Sequence, residues 1–151
     1  MCAKRNLYFA APLFSEAELQ FNVDLRNALS ELFNVYLPQE DGQLLVKLVR
    51  DGVSVAAAKK SIFSHDMAAL DKCDILLIVL DGRTVDEGAA FELGVAFTLG
   101  KKCVGLQTDP RQLLPVGNNP MIECALGRIF KSKSDLIAWA KLESIKTLIS
   151  E

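Results

Sequence analysis

The sequence predicts a doubly wound α/β fold, with about five parallel strands and helices on both faces of the sheet. Short apolar runs alternate along the chain with longer segments whose apolar residues recur at helical spacing. The run Asp74–Leu80 (DILLIVL) is apolar after its first residue, which is typical of a central parallel strand covered on both faces. The 151 residues are 50% hydrophobic and 24% charged, which fits one domain over residues 1–151. These features favour a flavodoxin-like or Rossmann-like arrangement, in which ligands bind beyond the carboxyl ends of the strands.

Five apolar runs have the length of strands. They are Asn6–Ala11, Val35–Leu37, Asp74–Leu80, Cys103–Gln107 and Gly127–Phe130. Pro12 and Pro38 follow the first two runs and end them, because proline has no backbone N–H to give to a neighbouring strand. Ligand-binding loops are therefore expected after the strands, at Pro12–Ser15, Pro38–Gln43, Asp81–Glu87 and Thr108–Asn119.

Helical spacing marks the segments between these runs and after the last one. They are Ser15–Phe33, Leu44–Cys73 with a break near Gly52, Asp86–Gly100 and Asp135–Ile149. Ser15 and Glu18 form a capping box, which predicts where the first helix begins. Thr84 and Glu87 have the same spacing ahead of the third helix, and Gly100 is expected to stop that helix.

Charge, hydropathy and motifs exclude several classes of function. Lys and Arg number 17 and Asp and Glu 19, for a net charge of -2, so a nucleic-acid polymer is not an expected partner. No apolar run approaches the ~18 residues of a membrane span. The chain lacks any GxG and any GxxxxGK[ST], so neither the dinucleotide fingerprint nor the P-loop is present.

The cysteines and the histidine do not indicate a metal site. Cys2, Cys73, Cys103 and Cys124 are widely spaced, without a CxxC pair. Cys73 and Cys103 lie beside strand-like runs, which predicts buried, reduced thiols in a cytoplasmic protein. His65 is expected to be a surface or partly buried helix residue, because no nucleophile-elbow motif accompanies it.

Carboxylates stand on helix faces that are otherwise apolar. Around Glu92 the same-face neighbours are Gly88, Ala89, Val95, Ala96 and Leu99, and their small side chains leave room for a ligand. Asp66 shares its face with Ile62, Phe63, Ala69 and Leu70. A buried salt bridge is the alternative reading, and Asp86 by itself is favoured as a helix cap. For Glu92 a functional carboxylate is favoured, because no basic residue lies one turn away.

Several carboxylates in a dry cleft suit chemistry at a glycosidic bond. One ionised carboxylate can attack or stabilise an oxocarbenium-like carbon, and a second, kept protonated, can protonate the leaving group. This chemistry needs neither a metal ion nor an organic cofactor. The residues by themselves therefore predict carboxylate-driven group transfer or hydrolysis.

Four segments resemble the nucleoside 2-deoxyribosyltransferase family. Three of them are Tyr8–Phe14 (YFAAPLF), Asp86–Gly94 (DEGAAFELG) and Asn118–Met121 (NNPM). The fourth is Asp66 in the predicted helix that precedes Cys73-Asp74. The resemblance implies that Glu92 is a nucleophile that holds a deoxyribosyl group covalently until a second nucleobase displaces it. It also implies that Asp66 and Asp86 handle the base, that Asp86 helps hold the sugar, and that Tyr8 orients the Glu92 carboxylate.

Further roles follow from the same resemblance. Phe14 is expected to stack on the base or wall the pocket, and Gly88 to leave space for the substrate. Asn119 is expected to reach the 5'-hydroxyl from a neighbouring subunit, so the active sites of a homo-oligomer (dimer-based, tetramer or hexamer) would be shared. Gln39 or Gln43 is expected to hydrogen-bond the base. The implied partners are a 2'-deoxynucleoside and a free nucleobase.

Two alternatives remain at this stage. An N-glycosidase could hydrolyse 2'-deoxynucleosides or their 5'-monophosphates, although the loop Ala11–Glu16 is apolar and then acidic where a phosphate would need basic residues. Arg83 could supply a positive charge nearby. A non-catalytic nucleotide-binding module is the second alternative, and the joint presence of Tyr8, Asp66, Asp86 and Glu92 argues against it.

Overall fold

The computed structural model describes residues 4–111 and 114–149 and contains one five-stranded, all-parallel sheet. The strands are β1 (Asn6–Ala10), β2 (Asn34–Tyr36), β3 (Ile75–Val79), β4 (Lys102–Leu106) and β5 (Arg128–Phe130). Their order across the sheet is β2-β1-β3-β4-β5, the flavodoxin-like order. The predicted fold class is confirmed.

Seven helices connect and follow the strands in the described part of the chain. They are α1 (Glu16–Ser30), α2 (Pro38–Asp41), α3 (Leu45–Arg50), α4 (Val55–Lys72), α5 (Glu87–Thr98), α6 (Pro120–Glu123) and α7 (Lys133–Ile149). The break near Gly52 is confirmed, since Gly52 has a φ of 91° between α3 and α4. The short helices α2 and α6 were not predicted, and each begins with a proline whose φ is already helical.

Two capping boxes were predicted from the sequence, and the structure confirms the one at α1 but not the one at α5. Ser15 and Glu18 form the predicted capping box at α1. The predicted box of Thr84 and Glu87 at α5 is wrong, because the Asp86 carboxylate takes the cap position and accepts from the Ala89 N–H at 2.9 Å. Gly100 follows the end of α5 with a φ of 70°, as its predicted role as a stop requires.

Two separate apolar clusters cover the two faces of the sheet. Helices α1 and α7 pack on one face and contribute Leu25, Leu29, Leu136 and Ala140 to the first cluster, while α4 and α5 contribute Leu70, Ala89, Leu93 and Ala96 to the second. Successive strand residues point to opposite faces, so Phe9 joins the first cluster and Tyr8 the second. The alternation of β1 thus places Tyr8 under the two helices that carry Asp66 and Glu92.

The surroundings of the cysteines agree with what the sequence predicts for them. Cys73 and Cys103 are buried free thiols, as predicted, and Cys124 is an exposed one. Burial raises the pKa of both Cys73 and Cys103 to about 11, which keeps them protonated at neutral pH. Within residues 4–111 and 114–149, no helix is long and apolar enough to cross a membrane.

Candidate active site

Two tyrosines on neighbouring strands form the base of the site. Tyr8 of β1 and Tyr36 of β2 are partners in the parallel register. Their rings stack with centroids 5.2 Å apart and planes inclined by 26°. Tyr8 is fully buried and Tyr36 partly buried. The shared register therefore aims both phenols at the same pair of helices.

Each tyrosine donates a hydrogen bond to a carboxylate of a different helix. The Tyr8 hydroxyl lies 2.6 Å from Oε1 of Glu92 on α5. The Tyr36 hydroxyl lies 2.8 Å from Oδ1 of Asp66 on α4. The Tyr8–Glu92 distance is short, as expected for a hydroxyl bond to a carboxylate, and the Tyr36–Asp66 distance is ordinary for a hydroxyl donor.

A cavity of about 250 Å³ lies between α4 and α5 and holds both carboxyl groups. Its walls are mainly apolar and are formed by Lys59, Ile62, Phe63, Asp66, Met67, Leu70, Gly88, Phe91 and Glu92. Phe63 and Phe91 contact each other with ring centroids 6.1 Å apart. A cavity with apolar walls and two carboxyl groups fits a small organic ligand that has an apolar surface and polar groups that face the carboxyls.

Burial shifts the titration of both carboxyl groups. It raises the pKa of Glu92 to about 7, and the negative charges of Asp66 and Asp86 act in the same direction, while the Tyr8 hydrogen bond opposes them. Burial also raises the pKa of Asp66, against the hydrogen bond from Tyr36 and the charge of His65. Carboxyl groups of raised pKa in a cavity are typical of catalytic sites.

Asp86 and Gly88 stand at the start of α5, next to Glu92. Asp86 caps the helix through its Oδ2, and its charge acts on Glu92. A Cβ on Gly88 would lie 3.2 Å from that Oδ2, so a larger residue would crowd Asp86. Asp86 is therefore a cap, as its position in the sequence indicated, and its carboxylate is also an electrostatic neighbour of Glu92.

Asn119 and Phe14 lie apart from this cavity. Asn119 caps α6 and, with Arg83, Gln107 and Asn118, lines a second cavity of about 320 Å³ beyond the ends of β3 and β4. Phe14 follows β1 and is 79% exposed. Within one chain, neither side chain lines the cavity of Asp66 and Glu92.

The two glutamines of the loop after β2 make contacts of their own. The Gln39 side chain accepts from Nδ2 of the buried Asn22 at 2.8 Å and donates to the Leu19 carbonyl at 3.1 Å. Oε1 of Gln43 accepts from the Ser61 hydroxyl at 2.6 Å. These bonds tie the loop to α1 and α4.

The family of the chain follows from a comparison with family models. The model described as nucleoside 2-deoxyribosyltransferase matches residues 7–139. The chain belongs to this family. The matched span includes Tyr8, Asp66, Asp86 and Glu92, and it confirms the resemblance drawn from the sequence.

Solved structures resemble the chain over most of its length. A conserved protein of Enterococcus faecalis V583 is 32% identical, with a TM-score of 0.75 over 93% of this chain and 99% of that one. A 2-deoxyribosyltransferase of Bacillus psychrosaccharolyticus is 24% identical, with a TM-score of 0.72 over 87% and 90%. A CMP N-glycosidase of Clostridium botulinum is 15% identical, with a TM-score of 0.58 over 91% and 99%. The last two show the fold alone, and no curated protein matches the chain.

Membership of the nucleoside 2-deoxyribosyltransferase family defines the general chemistry. The family acts on deoxynucleosides and nucleobases, and the chain is a glycosyl-transferring enzyme of the deoxyribosyltransferase or related N-glycosidase type. Among the described residues, no group of three or more His, Cys, Asp or Glu side chains could hold a metal ion.

Tyr36 and Lys59 were missed in the sequence. Both border the carboxylates, Tyr36 by its bond to Asp66 and Lys59 as part of the cavity wall. Tyr36 is the last residue of a three-residue strand, and one signal could have found it: it lies at the carboxyl end of a parallel strand, where ligands bind in this fold class. Lys59 carries no such signal, since a lysine in an amphipathic helix usually faces solvent.

A Glu92→Gln variant is expected to be more stable than the wild type at pH 8 and equally stable near pH 4. With its pKa raised to about 7, folded Glu92 keeps a proton that the unfolded chain loses from about pH 4.5 upward. The wild type therefore loses stability as pH rises towards 7, and a neutral amide, which still accepts from Tyr8, does not. The gain at pH 8 should be roughly 3 kcal/mol in the free energy of unfolding, measured in urea.

The matched control for this measurement is Glu87→Gln on the exposed side of α5. It should change stability little at either pH value. A Glu92→Gln protein no more stable than the wild type at pH 8 would contradict the raised pKa.

Proposed function

We propose that the protein transfers the 2-deoxyribosyl group between nucleobases through a covalent intermediate on Glu92, in nucleoside salvage. The observation that carries this proposal is the 2.6 Å bond from the buried Tyr8 hydroxyl to Glu92, at a cavity that also holds Asp66. The bond occupies Oε1, so Oε2 is the oxygen left to attack. A half-buried carboxylate held in one orientation is suited to nucleophilic attack.

In the first half-reaction Oε2 of ionised Glu92 attacks C1' of the deoxynucleoside. The C1'–N bond breaks, and its electron pair leaves with the base. Asp66 gives its proton to a nitrogen of the departing base, so that the base leaves neutral and Asp66 is left ionised. The reactive form thus has one proton for two carboxyl groups, carried by Asp66, and such a pair titrates as a unit.

In the second half-reaction an incoming base attacks C1' through a ring nitrogen. The C1'–O bond to Glu92 breaks, the carboxylate takes the electron pair, and ionised Asp66 receives the proton of the incoming base. Two inversions at C1' give net retention. Water in place of the second base would give hydrolysis by the same intermediate.

The remaining residues complete the proposed site. Asp86, whose charge acts on Glu92, assists in holding the sugar and the base. Gly88 leaves space in the cavity wall, and Phe14 covers the base. Gln39 or Gln43 hydrogen-bonds the base.

We infer a homo-oligomer in which Asn119 enters the site of a neighbouring subunit and binds the 5'-hydroxyl. Two features support this inference. Asn119 is exposed and lines a different cavity of its own chain. Exposed apolar side chains line the Glu92 cavity, with Phe63 55% and Phe91 54% exposed. A surface of this kind is typical of contacts between subunits.

Transfer is preferred over hydrolysis of a nucleotide because of the loop after β1. The solved structures of similar fold carry both names, 2-deoxyribosyltransferase and CMP N-glycosidase. Residues 11–16 contain no basic side chain. The Phe14 and Ser15 N–H groups, which could otherwise bind a phosphate, already donate to the Glu18 carboxylate. A 5'-phosphate would lack a partner there.

Incubation with 2'-deoxyinosine, with and without adenine, tests the proposal. Chromatography is expected to show 2'-deoxyadenosine only when adenine is present. Hypoxanthine without a new nucleoside would replace transfer by hydrolysis. If neither appears, with 2'-deoxynucleosides or with their 5'-monophosphates, the enzymatic proposal fails.

A further inference from the structure

We propose that Tyr36 is a positioning residue for Asp66, which fixes the carboxyl oxygen that carries the catalytic proton. This inference rests on the proposed function, in which Asp66 protonates the leaving base. The geometry behind it is the 2.8 Å bond from the Tyr36 hydroxyl to Oδ1 of Asp66 at the wall of the cavity.

The hydrogen bond distinguishes the two oxygens of Asp66. A protonated carboxyl group has one carbonyl-like oxygen, which accepts, and one hydroxyl oxygen, which donates. Because Tyr36 donates to Oδ1, the proton of Asp66 lies on Oδ2. The Asp66 side chain has no other hydrogen bond within residues 4–111 and 114–149, so Oδ2 is available to a substrate.

The strand pairing holds Tyr36 in place for this task. Its ring stacks on Tyr8, which is fully buried and bonded to Glu92. Moving either phenol would disturb the other, because the two rings are in contact across paired strands. The nucleophile and the proton donor are therefore aligned by one rigid pair of tyrosines.

Several charged or titratable groups face Asp66 and Tyr36 from the neighbouring elements. Tyr8 and Glu92 interact with Asp66 from β1 and α5, His65 from its own helix, and Lys59 lines the same cavity. Asp41 acts on Tyr36, whose ring also lies 5.9 Å from that of His65. None of them donates a hydrogen bond to Asp66 in the described residues, and Tyr36 does.

Tyr36→Phe retains the ring and removes the donor. Its kcat/KM for exchange between 2'-deoxyinosine and adenine is expected to fall roughly ten- to a hundredfold, the usual range for a lost bond to a group that becomes charged, as Asp66 does when it gives up its proton. The alkaline limb of the pH profile should move to higher pH, because the Tyr36 bond lowers the pKa of Asp66. In a single turnover with 7-methyl-2'-deoxyguanosine, whose base leaves neutral without taking up a proton, the loss in the rate of base release should largely disappear.

A double-mutant cycle separates this role from simple packing. In an Asp66→Asn background, measured with 2'-deoxyinosine as donor, Tyr36→Phe should have almost no further effect on the rate of exchange. Tyr8→Phe, which acts on Glu92, should keep its full effect there. Equal losses for Tyr36→Phe with both donors, an unmoved pH limb, or an unreduced effect in the Asp66→Asn background would overturn the inference.

The wild type distinguishes this failure from failure of the proposed function. A wild-type protein that exchanges no bases contradicts the proposed function itself. An active wild type with an inactive Glu92→Ala variant and a fully active Tyr36→Phe variant contradicts the role of Tyr36 alone.

Discussion

Replacing Glu92 by alanine is expected to lower the rate of base exchange by roughly a thousandfold or more. Alanine has no oxygen to attack C1', so the covalent intermediate cannot form. The proposed reaction has no other nucleophile at that position, since the neighbouring carboxylate of Asp66 serves as proton donor. The rate is measured as 2'-deoxyadenosine formed from 2'-deoxyinosine and adenine.

The Glu92→Ala protein should keep its fold, because it loses a carboxylate whose burial opposes ionisation. Glu87→Ala, an exposed change on the same helix, is the matched control and should exchange bases at the wild-type rate. A 2'-fluorinated deoxynucleoside that reacts slowly should add the mass of its sugar to the wild type and not to Glu92→Gln. Near-native turnover by Glu92→Ala, or an adduct on Glu92→Gln, would disprove the nucleophile.

Asp66→Asn is expected to reduce exchange from 2'-deoxyinosine by about a hundred- to ten-thousandfold. The amide has nearly the shape of the carboxyl group and still accepts from Tyr36, so the change removes the acidic proton and little else. The departing base must then leave unprotonated. The variant should recover most of its rate of base release in a single turnover with 7-methyl-2'-deoxyguanosine, whose base needs no proton.

Asp71→Asn is the control for this variant, since Asp71 is exposed on the same helix. It should behave as the wild type with both donors. If Asp66→Asn were equally slow with 7-methyl-2'-deoxyguanosine, Asp66 would be a binding residue and not the proton donor.

Local chemistry made much of the fold predictable. Pro12 and Pro38 end their strands because they lack an N–H, and Ser15 with Glu18 caps α1 within one turn of chain. The same local reasoning failed at α5. Thr84 and Asp86 compete for the same first-turn N–H groups, and the backbone after β3 brings Asp86 to the cap position.

The candidate carboxylates were also visible in the sequence. Glu92 and Asp66 interrupt apolar helix faces, and the structure places both at one cavity. Tyr36 was not visible. Its bond to Asp66 depends on β2 pairing with β1 in parallel register and on α4 crossing the same face of the sheet, and neither follows from periodicity.

The sequence by itself determined the sheet class, the approximate position of each strand and long helix, the family, and which acidic side chains stand on apolar faces. These properties depend on spacing along the chain and on backbone chemistry within a few residues. Only the tertiary structure decided the strand order, the stacking of Tyr8 on Tyr36, and the pairing of each tyrosine with its carboxylate. Those contacts join residues 28 to 84 positions apart, and packing of the whole sheet against α4 and α5 brings them together.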